Sequence, residues 1–99
     1  MVAFRQHDDA LWLSLSAEDL ADAHGLEDLV PQLPPTCRRA IFDLAAIDRL
    51  HAIGLGHLLT LRRHLLARGC TDIAIAHPSA QVSELNQILG LQRVFGLAA

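Results

Sequence analysis

Ninety-nine residues with a hydrophobic fraction of 52% set the scale of one domain, spanning residues 1–99, with one core. A formal net charge of -3 lacks the basic excess of a nucleic-acid module, so nucleic acid is not an expected partner. No apolar stretch approaches the length needed to cross a bilayer, and the opening MVAFRQHDD has no basic start followed by an apolar run. The expectation is a cytoplasmic protein with no direct membrane insertion.

Val2 to Arg5 is short and β-prone, and Asp8-Asp9 marks a turn. Leu11, Leu13 and Leu15 then alternate with Trp12, Ser14 and Ser16, the period of a strand with one buried face. These two segments read as a hairpin, with Trp12 on the face opposite the leucines.

Ser16 is placed to cap a helix, and Asp19, three residues on, makes a relative of the capping box. Leu20, Ala23, Leu26, Leu29, Val30 and Leu33 recur at helical spacing, with Asp19, Asp22, Glu27 and Asp28 on the other side. The spacing predicts one helix, tightened or ended at Pro31 and stopped by Pro34-Pro35.

Ala40-Ile41-Phe42-Asp43-Leu44 reads as a central strand. A second helix is predicted over Gly54–Arg68, with Gly69 as its C-terminal cap. Leu55, Leu58, Leu59, Leu61, Leu65 and Leu66 form its apolar arc, with Arg62 inside that arc. His57, Thr60, Arg63 and His64 fall on an arc expected to be solvated. Gly54 and Gly56 have no Cβ, so the helix start would let another backbone come close. Asp72–Ala76 is the next strand, followed by a turn at His77-Pro78-Ser79 with Ser79 as N-cap. Val82, Leu85, Ile88 and Leu89 give a third helix, ended by Gly90. Val94-Phe95 either closes the chain with a short strand or packs down.

The order β-β-α-β-α-β-α, with room for a short last strand, predicts an α/β fold: a mixed, mostly parallel sheet with helices packed on it.

The chemistry-bearing residues do not assemble into a reactive set. Cys37 and Cys70 border or begin apolar runs and form no CxxC pair, so buried reduced thiols are expected rather than a disulfide framework. Of the six histidines, His57 and His64 share a helical face but stand about 10 Å apart along the axis, too far for one ion. Asp43 lies in a strand, with no Ser, Cys or His at catalytic spacing near it, and Asp48 in the following turn; strand-end hydrogen bonding or helix capping accounts for them. No Walker-type or dinucleotide glycine pattern is present. The loop before the second helix, His51-Ala52-Ile53-Gly54, carries no hydroxyl, thiol or carboxylate. It reads as a contact surface, not a reaction centre, and no metal or cofactor is expected.

Four stretches together resemble the STAS domain, the family of anti-sigma factor antagonists and of the cytoplasmic tails of sulfate transporters. Phe42-Asp43-Leu44-Ala45-Ala46-Ile47 resembles the family's strand ending in Leu-Asp-Leu-Ser and the turn after it. His51-Ala52-Ile53-Gly54-Leu55-Gly56 stands where the family has Asp-Ser-Ser-Gly or Asp-Ser-Thr-Gly running into Leu-Gly. Arg68-Gly69 closes the leucine-rich helix as in the family. Val82 to Leu91, followed by Arg93-Val94-Phe95, is similar to its last helix and end. Asp19, Ala23 and Leu26 fit the family's upstream pattern, with Ser16 in place of a glycine.

The resemblance implies a STAS-like fold and a non-enzymatic regulatory role, with a kinase-type anti-sigma factor of the histidine-kinase-like ATPase type as protein partner. It implies docking through Arg49, His51, Ala52, Ile53 and Gly54, and through Leu55, Leu59 and Arg62 of the following helix. The first serine of the family loop is the phosphoacceptor. Here Ala52 fills that position, with His51 for the acid before it and Ile53 for the hydroxyl after it, so the phospho-switch is lost there. An alternative keeps the fold and makes the chain an accessory subunit of an ABC-type lipid transporter, bound to the transporter ATPase; Arg49-Leu50 is similar to the loop of such subunits. An alternative of another class is a nucleotide- or anion-binding protein using the helix N-terminus at Gly54. A monomer or weak homodimer is expected.

Overall fold

A computed structural model describes residues 3–7, 9–33, 38–90 and 96–97. Strand β1 (Ala3–His7) pairs antiparallel with β2 (Ala10–Ser14), in the register Phe4 with Leu13 and Arg5 with Trp12. Strands β3 (Arg39–Asp43), β4 (Asp72–Ala76) and β5 (Gly96–Leu97) continue the sheet in parallel. The spatial order is β1-β2-β3-β4-β5, the mixed, mostly parallel α/β sheet that the alternation of elements predicts.

Alternation decides which side chains meet. Leu11 and Leu13 of β2, Ala40 and Phe42 of β3, and Ile73 and Ile75 of β4 share one face and build the main core with the helices. Ala10, Ile41, Ala74 and Ala76 cluster on the opposite face, with Trp12 packed against them. The Arg5 guanidinium lies 5.5 Å from the centre of the Trp12 ring, within cation–π range.

The first helical stretch departs from the single helix predicted. It forms α1 (Ala17–Ala21), α2 (Ala23–Leu29) and a 3-10 turn over Val30–Gln32. The break falls at Asp22, whose carboxylate accepts the Gly25 N–H at 3.0 Å and caps α2. An aspartate that can satisfy the free N–H groups of a new helix competes with continuation of the old one. Pro31 stands at the start of the 3-10 turn, where its missing N–H costs nothing. Ser16 and Asp19 make a complete capping box: Asp19 N–H donates to Ser16 Oγ at 3.2 Å, and Ser16 N–H donates to the Asp19 carboxylate at 2.9 Å. Burial of the Asp19 carboxyl alone would raise its pKa, but the hydrogen bonds it accepts hold it below the ordinary value.

Helix α3 covers Ala52–Ala67, beginning two residues before the predicted Gly54. It buries Leu58, Leu61 and Leu65, while Leu55 and Leu59 pack partly against the core and Leu66 is exposed. Gly69, at φ +105°, turns the chain out of the helix, and Cys70 N–H returns to Leu65 O at 3.1 Å. Cys70 is buried as a thiol; Cys37 lies outside the described residues. Helix α4 (Ala80–Ile88) is capped by Ser79, whose Oγ accepts the Val82 N–H at 3.2 Å. Val82 enters the core, but Ile88 and Leu89 are exposed and Asn86 is buried, so the apolar side of α4 is narrower than its spacing predicts. The expectations for Pro34-Pro35 and Val94-Phe95 fall outside the described residues. Among the described residues, no helix is long and apolar enough to cross a membrane.

Candidate docking loop and helix start

Strand β3 delivers the chain to one end of the sheet at Asp43, and after eight intervening residues α3 begins at Ala52. Within this loop Leu44, Ile47 and Leu50 are buried, so apolar anchors recur every third residue and hold the polar positions outward. Backbone bonds from Leu44 N–H to Ala76 O and from Ile47 N–H to Leu44 O fix the first turn.

Two residues of the β4–α4 region pin the rest. Gln81 Oε1 accepts the Leu50 N–H at 2.8 Å, and Gln81 Nε2 donates to the Leu50 carbonyl at 3.2 Å. Ser79 Oγ donates to the Asp48 carbonyl at 2.7 Å. The sequence gives no local signal for the Gln81 contact, because its partner lies 31 positions away. Ser79 is legible as a helix cap but not as the second anchor of this loop.

Asp43 is tied in the same way. Its Oδ1 accepts the Ala45 N–H at 3.0 Å and faces His77 Nδ1 at 3.0 Å. Burial would raise the Asp43 carboxyl, but the hydrogen bonds from His77 and Ala45, with the charges of His77 and Arg5, hold it below the ordinary carboxylate range. His77 sits at φ 54°, the left-handed region, where the turn after β4 aims its ring back at Asp43. Strand-end hydrogen bonding therefore accounts for Asp43, with a histidine partner that spacing does not reveal.

The expected docking residues divide by exposure. Arg49, His51, Ala52 and Ile53 are exposed, and Ile53 keeps 72% of its surface in solvent. His51 is the N-cap of α3, but its side chain makes no capping bond. Gly54, Leu55, Leu59 and Arg62 are half-buried. A Cβ at Gly54 would stand 3.3 Å from Leu50 Cδ1 and 3.5 Å from Leu20 Cβ, so the close approach expected there is made by this chain's own α1. A Cβ at Gly56 would meet nothing within 4 Å among the described residues. His57 is not on a solvated arc: it is half-buried, and its Nδ1 bonds the Leu20 carbonyl across the α1–α3 contact. Arg68, at the far end of α3, donates through Nη2 to Leu33 O at 2.7 Å, a structural tie.

Between α1 and the start of α3 runs an open groove of about 340 Å³. Ala17, Leu20, Ala21, Ile47, Leu50, Ile53 and Gly54 line it, with Arg49 and His51 at its rim. The α1 residues of this groove were not legible as site residues, since α1 reaches α3 only by tertiary packing. Among the described residues, no group of three or more His, Cys, Asp or Glu side chains is arranged to hold a metal ion.

No protein-family model and no curated protein matches the sequence. Solved structures do. The solution structure of TM1081 superposes with a TM-score of 0.77 at 18% identity, covering 99% of this chain and 80% of that one. The crystal structure of the same Thermotoga maritima protein, provisionally assigned as an anti-sigma factor antagonist, gives 0.73 at 17% identity over 97% of this chain and 84% of that one. The chain has the STAS fold. An anti-sigma factor antagonist from Mycobacterium paratuberculosis gives 0.70 at 20% identity, covering 98% of this chain and 83% of that one. At these identities the likeness is one of fold, and the STAS architecture accounts for the β3–α3 loop standing at the end of the parallel strands.

Proposed function

We propose that this chain is a non-enzymatic regulatory module of the anti-sigma-factor-antagonist kind, which binds a protein partner through residues 49–54 and the start of α3. The observation that carries this reading is the exposed Ile53 in the first turn of α3, at the mouth of an apolar groove, beside Ala52 and directly after a loop pinned by Gln81 and Ser79. An exposed aliphatic side chain on a rigid support is suited to act as an anchor in a partner's pocket. The apolar lining favours a protein surface over a phosphate or nucleotide. By family resemblance, the partner is a kinase-type anti-sigma factor and the site of action is the cytoplasm. Ala52 has no hydroxyl, so binding is not controlled by phosphorylation at that position.

The test is capture of a kinase-type anti-sigma factor, followed by calorimetry. Ala52→Asp and Ile53→Ser are each expected to weaken binding by about ten-fold or more, by placing a charge or a polar group where apolar contact is made. Unchanged affinity in both variants would remove the loop from the interface.

A further inference from the structure

His77 stands in the turn between β4 and α4, and its side chain keeps 65% of its surface in solvent. Its Nδ1 lies 3.0 Å from Asp43 Oδ1, and the same oxygen accepts the Ala45 N–H, which holds the carboxylate in place. An ionised carboxylate cannot donate, so Nδ1 carries the proton of the shared bond. In the uncharged ring the free lone pair is then on Nε2. Nε2 meets no hydrogen-bond partner among the described residues. The carboxylate thus orients the ring and favours positive charge on it as Nε2 forms a bond, the arrangement of an activated nucleophile. The backbone adds a second observation. His77 has φ 54°, where glycine fits and a side chain is disfavoured. Glycine would serve a turn that needed only this shape. A histidine held there sets its ring against Asp43, and unfavourable backbone of this kind gathers at functional sites. Other histidines lack this setting: His24 is 4.0 Å from Glu27, beyond hydrogen-bond reach, and the His51 side chain makes no capping bond.

We propose that His77 is a phosphoacceptor, which takes a phosphoryl group on Nε2 from a phosphoramidate donor, the protonated phosphohistidine of another protein. The Nε2 lone pair forms a P–N bond to phosphorus while the donor's P–N bond breaks. The donor ring leaves with that electron pair, uncharged, and its positive charge passes to the His77 ring beside Asp43. The Nδ1 proton stays in the bond to Asp43, and no proton has to leave Nε2. One P–N bond replaces another, so the exchange is nearly balanced in energy. The added negative charge stands two residues before Ser79, and Ser79 and Gln81 pin the loop that leads into α3. Position 52 has no acceptor atom, and His77 gives the same loop an acceptor from across the sheet. The acceptor chemistry of His77 does not depend on the docking reading.

The test incubates the full-length chain with phosphoramidate, whose P–N bond breaks in the same way and releases ammonia. Mass spectrometry locates the modified histidines over time, and phosphorus NMR tells Nε2 from Nδ1. His77 should be modified at Nε2 about ten-fold or more faster than His24 and His51, which are also exposed. Asp43→Asn should slow His77 by about ten-fold and leave His24 and His51 unchanged. His77→Asn, which tolerates the left-handed backbone, should lose this label alone. The same labelling of the unaltered chain in urea should show no preference for His77, because the contact to Asp43 exists only in the fold; this arm holds even where a variant folds poorly. Modification of His77 no faster than of His24 and His51, attachment at Nδ1, a rate unaffected by Asp43→Asn, or a preference that survives urea would overturn the proposal.

Discussion

Gln81 holds Leu50 by both ends of its backbone, accepting from the N–H and donating to the carbonyl. One side chain on α4 thus fixes the residue that leads into the proposed docking loop, and the Leu50 side chain is buried beneath it. The loop's shape depends on a contact made across the fold.

Gln81→Ala should therefore destabilise the protein by about 1–3 kcal/mol, because it leaves two part-buried backbone groups without partners. Urea denaturation would give the loss. Hydrogen exchange should show the Leu50 amide losing protection more than amides in β3. Equal loss at both places would mean that Gln81 supports the whole fold and not this loop.

Asp43 predicts a response to acid. A carboxyl whose pKa is lower in the folded than in the unfolded chain stabilises the fold above its unfolded pKa, and that contribution fades as pH falls through the lowered folded value. Stability should thus fall between neutral and acid pH, and Asp43→Asn should flatten that slope. Denaturant titrations at stepped pH would compare the two slopes.

His77 separates backbone from side chain. Its φ of 54° is tolerated by glycine and strained for alanine. His77→Gly and His77→Ala both lose the contact to Asp43, yet the glycine variant should be more stable by about 1 kcal/mol. Thermal melts of the two variants, compared with each other, isolate the backbone effect.

Glycine-to-alanine changes in α3 should diverge. Gly56→Ala places a Cβ in open space and should add about 0.5–1 kcal/mol from helix propensity. Gly54→Ala must push against Leu50 and Leu20 and should gain less or lose stability. Denaturation midpoints would rank them.

Ala52→Asp offers a control on the proposed interface. Position 52 is the first residue of α3, where a negative charge favours the helix dipole by about 0.3–1 kcal/mol. The variant should be at least as stable as the parent while losing the partner. A fall in melting temperature would mean that weakened capture reports damage to the fold.

Local pattern made most of the elements legible. The alternation of Leu11, Leu13 and Leu15, the Asp72–Ala76 run and the Ser16 and Ser79 caps each act through neighbours within a few residues, so spacing carries them. The interruption at Asp22 was harder to read, because periodic leucines continue through it while the carboxylate closes a new cap on Gly25. His57 misled for a related reason: its place on the helix arc is visible in sequence, but the α1 carbonyl that it bonds is brought there by packing.

The sequence by itself determined the alternation of strands with helical segments, the buried faces of the strands and the absence of a hydroxyl at position 52, since these follow from residue type and short-range spacing. Tertiary structure alone decided that Leu20 closes on Gly54, that Gln81 and Ser79 clamp the loop, and that His77 meets Asp43. Those contacts join residues separated by 31 to 34 positions. Such distances in sequence carry no periodic signature, and only the closing of the helices over the sheet makes them neighbours.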